Sequence, residues 1–176
     1  MECQNTVIAG PSSVKIAPLG AAKEAASELG LTNGGVTITA ALEKTDVMVD
    51  QSLLPVRKIT TAAQYTLSVP LASVTPENLA LAFGVEIAEG TVKIPAEKYF
   101  QVWVDTQGPV NDKGVAAARE FYFAKVVFNG TGELVLSRTE QQTVTLEGSI
   151  VGSPAAGSCE NAGFMTITDT YAEAGE

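Results

Sequence analysis

The chain has 176 residues, a length that fits one domain comfortably and two only if both are small. It is 45% hydrophobic and 18% charged, which is too apolar for a disordered chain. Its 19 valines and 18 threonines favour strands over helices. Eleven basic and 20 acidic residues give a net charge of −9, which argues against tight binding to a nucleic-acid backbone, because such binding needs clusters of Lys and Arg.

The chain contains no histidine. This excludes Ser-His-Asp and Cys-His catalysis, histidine-ligated zinc or haem, and a histidine proton shuttle. Two cysteines, Cys3 and Cys159, are too few for a four-cysteine zinc site. They either pair as a single clasp or remain free thiols, which is the usual state in a reducing cytosol. The first residues have no basic region and no run of 18 apolar residues occurs, so we expect neither a signal peptide nor a membrane span.

The first part of the chain is predicted to form short extended segments. Two of them, at 6–10 and 14–18, flank a Gly-Pro turn. Residues 21–29 have a helix-favouring composition, but nine residues are marginal for a helix, so a loop with one helical turn is the alternative. Alternation of apolar and polar residues then predicts four strands. They are expected at 36–40, 46–51, 56–61 and 65–71.

The clearest helix signal lies in the middle of the chain. Thr75 offers a capping hydroxyl and Pro76 suits the first helical position. We therefore predict a helix over about 76–83, which a following glycine ends. Leu79 and Phe83 are four residues apart and share a face, so we expect this face to pack on the sheet.

The second half of the chain is again rich in strands. The predicted elements are strands at 91–94, 99–104, 121–128, 133–137, 142–151 and 164–168, a loop over 107–114, a hairpin turn at 129–132 and a fraying acidic tail over 169–176. Eight to ten short strands with one helix predict a single mostly β domain over 1–176. We expect an antiparallel β-sandwich or barrel with one short flanking helix.

No residue pattern in the chain is typical of catalysis. The Gly-rich phosphate-binding motifs are absent. Asp46 and Asp50 would point to one face of a strand about 13 Å apart, too far to hold one metal ion unaided. We interpret these two residues, with nearby Glu43, as a solvated strand face. The chain is therefore predicted not to be an enzyme and to use no cofactor or metal.

Trp103 and Tyr99 lie on one face of the strand predicted over 99–104. Such a pair could form a platform for carbohydrate, but the chain has only 11 aromatic residues to fill its interior, which favours a core or interface position. The pattern leaves open a non-enzymatic ligand-binding β-sandwich, such as an adhesin or a carbohydrate-binding module, as the alternative function.

A series of motifs in the first half of the chain is more specific than any of these features. In chain order they are Ala-Pro-Leu-Gly (17–20), Leu-Gly-Leu-Thr-Asn-Gly-Gly-Val (29–36), Glu-Lys-Thr-Asp-Val-Met-Val-Asp-Gln-Ser (43–52), Pro-Val (55–56) and Ser-Val-Thr-Pro-Glu-Asn-Leu-Ala-Leu-Ala-Phe-Gly (73–84). Their order and spacing, over about residues 10–84, resemble the N-terminal half of the major tail tube proteins of long-tailed (siphovirus-like) bacteriophages.

The resemblance implies a tail-tube-like β-sandwich or barrel. In that family six copies form a ring whose inner strands join into one continuous barrel. The rings stack into a hollow tube, and DNA passes through it, transiently and non-specifically, during ejection. The resemblance further implies assembly in the cytoplasm of the host bacterium, a final location in the virion tail, and no membrane partner. The implied partners are other copies of the chain and other tail proteins (terminator, tape measure and tail tip), and a related minor tail or baseplate component would share them.

The resemblance also implies where subunits touch. In that family the loop between the early paired strands and the terminal segments, here about 1–10 and 169–176 as extended arms, reach neighbouring rings. A net charge of −9 suits a lumen along which DNA must slide. Which acidic residues face that lumen depends on the strand register, because a one-residue shift moves every side chain to the other face. The loop corresponds here to about 46–56, and its candidate assembly residues are Asp46, Val47, Asp50, Gln51, Leu53, Leu54 and Pro55.

Overall fold

The computed structural model describes residues 12–50, 54–88, 91–93, 97–110, 114–135, 142–152 and 163–171. These residues form eleven β-strands and one α-helix, so the predicted fold class, mostly antiparallel β with one short flanking helix, is confirmed. The elements are β1 Ser13–Pro18, a 3₁₀ turn Lys23–Ala25, β2 Ser27–Leu31, β3 Thr37–Val47, β4 Arg57–Leu71, α1 Pro76–Ala82, β5 Glu86–Ala88, β6 Thr91–Lys93, β7 Tyr99–Val110, β8 Ala116–Phe128, β9 Glu133–Val135, β10 Thr143–Ile150 and β11 Thr166–Tyr171.

Nine of these strands form one antiparallel sheet. Its order is β2-β1-β7-β8-β10-β4-β3, with β9 beside β10 and β11 beside β8, while β5 and β6 form a separate pair. The sheet curls, because a bridge between Thr32 and Leu71 joins the chain after β2 to the end of β4. Beside the bridge, the amide of Ala72 donates a hydrogen bond to the carbonyl of Leu31 at 2.8 Å. The chain after β2, which lies at one end of the sheet, thus meets β4, which lies next to the other end. The curled sheet encloses a core.

The core is built from alternate residues of β1, β4, β7, β8 and β10. The fully buried larger side chains are Val14, Leu67, Val69, Leu71, Val102, Phe123, Val126, Val144 and Leu146. Burial of each such side chain contributes about 1.5–3 kcal/mol relative to an exposed one. The core can therefore hold the fold without a metal or a disulfide.

Helix α1 has the N-terminal signals that the sequence predicts. The hydroxyl of Thr75 accepts a hydrogen bond from the amide of Asn78 at 3.2 Å, and Pro76 occupies the first turn. The predicted Leu79–Phe83 stripe needs correction. Leu79 is partly buried against the core, but Phe83 is 41% exposed and lies just beyond the last helical residue. The fully buried face of α1 is formed by Asn78 and Ala82, because hydrogen bonds of Asn78 fix the rotation of the helix.

Two long strands, β3 and β4, replace the four short strands predicted between 36 and 71. β3 and β4 pair continuously from Thr37 opposite Ser68 to Val47 opposite Arg57, with one bulge. The breaks that the sequence suggests fall where both faces of the hairpin are exposed. No burial requirement imposes an apolar-polar alternation there, so the pattern fails although the strands continue.

Residues 21–29 do not form the nine-residue helix, and the alternative of a loop with one helical turn is closer to the structure. The 3₁₀ turn is followed directly by β2, which pairs with β1 through Glu28 opposite Lys15. β2 also places Leu29, which is 5% exposed, in the core. Hydrogen bonds to β1 and burial of Leu29 outweigh the weak propensity of so short a helix.

Two predicted connections are also wrong. The expected loop over 107–114 begins as the end of β7, which runs to Val110 after an irregularity in its register with β8. The expected hairpin turn at 129–132 joins β8 and β9, but these strands do not pair with each other. They lie end to end along one edge of β10, so residues 129–132 form a link rather than a hairpin.

The predicted acidic tail begins as a strand. Asp169 to Tyr171 complete β11, which pairs with the first half of β8. The guanidinium of Arg119 donates two hydrogen bonds to the carboxylate of Asp169, both at 2.6 Å, and fixes this pairing. Residues 172–176, the N-terminal arm over 1–10, Cys3 and Cys159 lie outside the described residues.

Candidate assembly surface

The β3–β4 hairpin extends out of the body of the protein. Every side chain of β3 except that of Val47 is exposed, and so is β4 up to Gln64. Only the later part of β4, from Tyr65 to Leu71, packs into the body. The seven residue-to-residue steps from Ala40, opposite Tyr65, to Val47 give the exposed ladder a length of about 23 Å at 3.3 Å per step.

The hairpin has a defined register up to its end. Val47 pairs with Arg57, and the amide of Val56 donates to the carbonyl of Val47 at 3.0 Å. Beside this end Lys58 and Asp46 form an ion pair at 3.2 Å. Both partners are exposed, so the pair adds at most about 1 kcal/mol. The hairpin is therefore an ordered two-stranded ladder that ends in a short tip, described at 48–50 and 54–56.

The residues predicted as an assembly loop are brought together at this end. Asp46 and Val47 lie in the last two pairs of the ladder, and Asp50, Leu54 and Pro55 belong to the tip. Gln51 and Leu53 lie outside the described residues. The predicted loop thus includes two strand residues.

The hairpin carries half of the large apolar side chains that are exposed in the described part of the chain. Seven of the 14 lie on it, and Leu54, Met48 and Val56 are exposed by 74%, 56% and 55%. Apolar side chains clustered on a surface mark a site of association. The full set on the hairpin is Ile38, Leu42, Met48, Val49, Leu54, Val56 and Ile59.

The two faces of the hairpin differ in chemistry. One face continues the core side of β4, because Ile38 pairs with the fully buried Leu67 and Ala40 with Tyr65. The ring of Tyr65 stacks on that of Phe164 at 3.9 Å. The other face continues onto β10, and we name it the polar face. It consists of Thr37, Thr39, Ala41, Glu43, Ala62, Gln64, Thr66, Ser68, Thr145, Glu147 and Ser149.

The polar face contains two carboxylates and no Lys or Arg. Glu147 accepts a hydrogen bond from the hydroxyl of Thr131 at 2.9 Å, which holds its carboxylate at the sheet surface. Glu43 lies on the exposed part of the hairpin. Hydroxyl groups and negative charge give a hydrated surface that repels phosphate.

β3 also has an open edge. Among the described strands only β4 pairs with it, so one side of this 11-residue strand presents unpaired amides and carbonyls. An edge of this length is a template for pairing with another chain, and monomeric proteins usually block it. The open edge is therefore a second feature suited to assembly.

Trp103 does not form an exposed platform for a ligand. Its side chain is 6% exposed, and its ring stacks on that of Tyr122 with the centroids 5.2 Å apart. On the same sheet face Lys23 donates hydrogen bonds to Glu120 and, at 3.3 Å, to Asp105. The hydrogen bond to Glu120 is the main cause that raises the pKa of Lys23, and the hydrogen bond to Asp105 adds to it. Trp103 is therefore a buried aromatic residue, as the interpretation of a core or interface position expects, although it lies on the sheet face opposite Val102 and Val104 of the core. The carbohydrate-binding alternative loses this candidate residue.

The described residues offer no cluster of three or more Cys, Asp or Glu side chains that could hold a metal ion. Asp46, Asp50 and Glu43 are exposed, as predicted, but Asp50 lies in the tip beyond the end of β3 at Val47 and not on a strand face. In the same ranges no helix has the length and apolar character needed to cross a bilayer.

The chain matches no family model and no curated protein. Its fold is similar to that of a chain in the cryo-EM structure of the anti-feeding prophage (AFP) baseplate, 6-fold symmetrised, with a TM-score of 0.50 and 9% identity over 96% of this chain and 97% of that chain. A crystal structure of Hcp protein gives a TM-score of 0.42 and 11% identity over 92% of this chain and 99% of that one. The fold relationship rests on the first of these, which extends over nearly the whole length of both chains.

Proposed function

We propose that this chain is a structural subunit of a phage-like tail, in which six copies form a ring and stacked rings form the hollow tube through which DNA is ejected. One observation carries the proposal. An ordered hairpin with exposed apolar side chains extends about 23 Å from a body whose fold is shared with a chain of a 6-fold-symmetrised baseplate. Such a hairpin buries few of its own side chains and is suited to contact between subunits.

The open edge of β3 supports closure into a ring. If the edge pairs with a strand of the next copy, and each copy does the same, the contact is heterologous and closes after a fixed number of subunits. Ring closure satisfies the unpaired amides and carbonyls of every copy at once. We take the number six from the symmetry of the related baseplate.

We assign the polar face to the lumen. A wall that bound phosphate tightly would stall DNA, whereas a surface of hydroxyls and carboxylates keeps a hydration layer and lets the duplex slide. Glu43 and Glu147 would repeat six times around each ring. The net charge of −9 per chain agrees with this assignment.

The remaining expectations follow from the same proposal. The chain acts without catalysis or cofactor, its location is the virion tail, and it assembles in the cytoplasm of the host bacterium. Its partners are other copies of the chain, the terminator, the tape measure and the tail tip, with DNA as transient cargo.

Electron microscopy of the purified chain at high concentration, beside particles from its native source, tests the proposal. We expect hollow tubes or six-fold rings with a regular axial repeat. Sedimentation velocity on the same sample would show species much larger than 18.3 kDa. Dispersed globules in both preparations would contradict the proposal and favour a binding module.

A further inference from the structure

An apolar groove lies beside helix α1, and no sequence motif points to it. One wall is formed by α1 and the residue after it, with Pro76, Ala80 and Phe83. The other is formed by Phe100 of β7 and by Val127 and Phe128 of β8. The groove has a volume of about 770 Å³, within the range of about 300–1,000 Å³ typical of binding clefts.

The groove is held open by close backbone contacts. The amide of Gly132 donates to the carbonyl of Ala82 at 2.9 Å, which ties the end of α1 to the link after β8. A side chain on Gly130 would meet the carbonyl of Phe83 at 3.0 Å, and Gly130 adopts a φ of +66° that favours glycine. These contacts hold the backbone of Phe83 in place, and its side chain, which is 41% exposed, lines the groove.

The hairpin tip and the groove lie at opposite ends of one strand. β4 starts next to the tip at Arg57 and ends at Leu71, five residues before α1 begins at Pro76. Fifteen residues of strand span about 50 Å. The tip of one copy therefore does not reach the groove of the same copy, whereas a second copy displaced along the strand axis brings tip and groove together.

The two surfaces are complementary in chemistry. The tip presents Met48, Val49 and Val56, and a flexible Met side chain packs well against aromatic rings such as those in the groove. Lys58 is paired with Asp46, while Arg57 has no carboxylate partner among the described residues.

The charged residues of the groove complement the positive charge of Arg57. Glu77, Glu86 and Glu97 line the groove together with one cation, Lys98, which pairs with Glu86 at 3.7 Å. The groove therefore keeps an excess of negative charge with which Arg57 of a docked tip can pair, whereas Asp50 of the tip must point away from the groove. Charge complementarity of this kind guides the register of an association more than it adds affinity.

We propose that the hairpin tip of one copy docks into the α1 groove of a second copy. This inference rests on the proposed stacking of rings and names the receptor surface for the hairpin. Because the two surfaces differ and lie at opposite ends, the contact is heterologous and does not close, so it produces an open axial stack. Docking covers Phe83 and the apolar tip together.

Two single variants and their mixture test the docking. Met48→Asp disables the tip and Phe83→Asp disables the groove. We expect each variant alone to raise the concentration needed for tube formation by about tenfold or more, as loss of a central interface anchor does. A 1:1 mixture has one intact tip and one intact groove. It should form pairs of rings or of chains that do not elongate, seen as a discrete species in sedimentation velocity.

Controls separate docking from folding and from the proposed function. Ile167→Asp changes a half-exposed apolar residue of β11, away from both surfaces, and should assemble like the wild type. Phe83→Ala removes the ring without adding charge, and its melting curve should match that of the wild type while assembly weakens. Normal tubes from Phe83→Asp, or a mixture without the discrete species, would overturn the docking and leave the tail-tube proposal intact. Absence of any assembly by the wild type would overturn both.

Discussion

The side-chain amide of Asn78 donates a hydrogen bond to the backbone carbonyl of Leu29 at 3.0 Å. The same amide group donates to the carbonyl of Ser73 at 2.9 Å. Asn78 is 4% exposed and is the buried polar residue among those that the structure describes. It connects α1 to β2 and to the link that follows β4, so it fixes the helix that forms one wall of the groove.

Replacement of Asn78 by Ala should lower the free energy of unfolding by about 2–3 kcal/mol, because two buried carbonyls lose their donors. Denaturation with urea measures this change. Asn129 is a matched control, since its amide donates to the hydroxyl of Ser149 at 2.9 Å in an exposed position. Asn129→Ala should shift the value by less than about 0.5 kcal/mol. Equal effects of both replacements would contradict the structural role of Asn78.

Gly132 should tolerate no side chain. A Cβ atom there would lie 2.6 Å from the carbonyl oxygen of Ala82 and 2.7 Å from that of Thr145, so the backbone must move. We expect Gly132→Ala to cost about 1–3 kcal/mol of stability, as overpacking does. Gly163 has open space around its Cβ position, so Gly163→Ala should change stability by less than about 0.5 kcal/mol. A neutral Gly132→Ala in thermal and urea melts would show that α1 does not approach the β8–β9 link so closely.

Replacement of residues 48–56 by Asn-Gly should abolish tube assembly and preserve the fold. Val47 and Arg57 are paired, so a two-residue turn of this sequence closes the ladder directly. Shortening the loop changes its closure entropy by only about 1 kcal/mol. We expect an unchanged circular dichroism spectrum, a similar Tm and no tubes, with species no larger than a single ring in sedimentation velocity. Tubes of normal yield would show that the tip is not an assembly element.

Local chemistry made some elements of the fold predictable from the sequence. Thr75 and Pro76 define the start of α1 without reference to the rest of the chain. The buried strand β10 shows a regular alternation of half-buried and buried residues, and such a pattern is visible in the sequence. The predictions were wrong where contacts between residues far apart in the sequence determine the secondary structure. Leu29 joins a strand because β1 offers hydrogen bonds and a core position, neither of which a local pattern reveals.

The candidate assembly surface was predictable only in part. Its position at 46–56 came from the order of motifs, while the length of the hairpin was hidden because exposed strands need no alternation. Phe83 was placed on the buried stripe of α1, since four-residue spacing ignores that the helix ends at Ala82. The groove depends on the contacts of Gly130 and Gly132 with the end of α1. These residues lie about 50 positions apart in the sequence, so no local pattern predicts that they meet.

β11 should become less protected as the pH falls. Hydrogen bonds from Arg119, the principal cause, hold the pKa of Asp169 below its usual value. A carboxylate with a lowered pKa in the folded state stabilises the fold above its unfolded pKa of about 3.9, and this stabilisation is lost as the pH falls through the folded value. Amide hydrogen exchange over 166–171, corrected for intrinsic rates, should show weaker protection at low pH. Asp169→Asn should show weaker protection already at neutral pH, with less change on acidification. Identical profiles for wild type and variant would exclude the pair as the anchor of β11.

If the polar face lines the lumen, lysines placed on it should make assembled tubes retain DNA. Thr39→Lys, Glu43→Lys and Thr66→Lys together add four units of positive charge per chain, repeated around every ring. We expect tubes of this triple variant to bind short duplex DNA, with an affinity that falls steeply with salt. DNA inside a tube is shielded, so it should resist a nuclease, and wild-type tubes should retain none. The control variant Thr168→Lys and Thr170→Lys adds charge to exposed positions of β11. DNA bound to tubes of this control variant should be digested by the nuclease. Nuclease-sensitive DNA on the triple variant would place the polar face on the outside of the tube and overturn the assignment of the lumen.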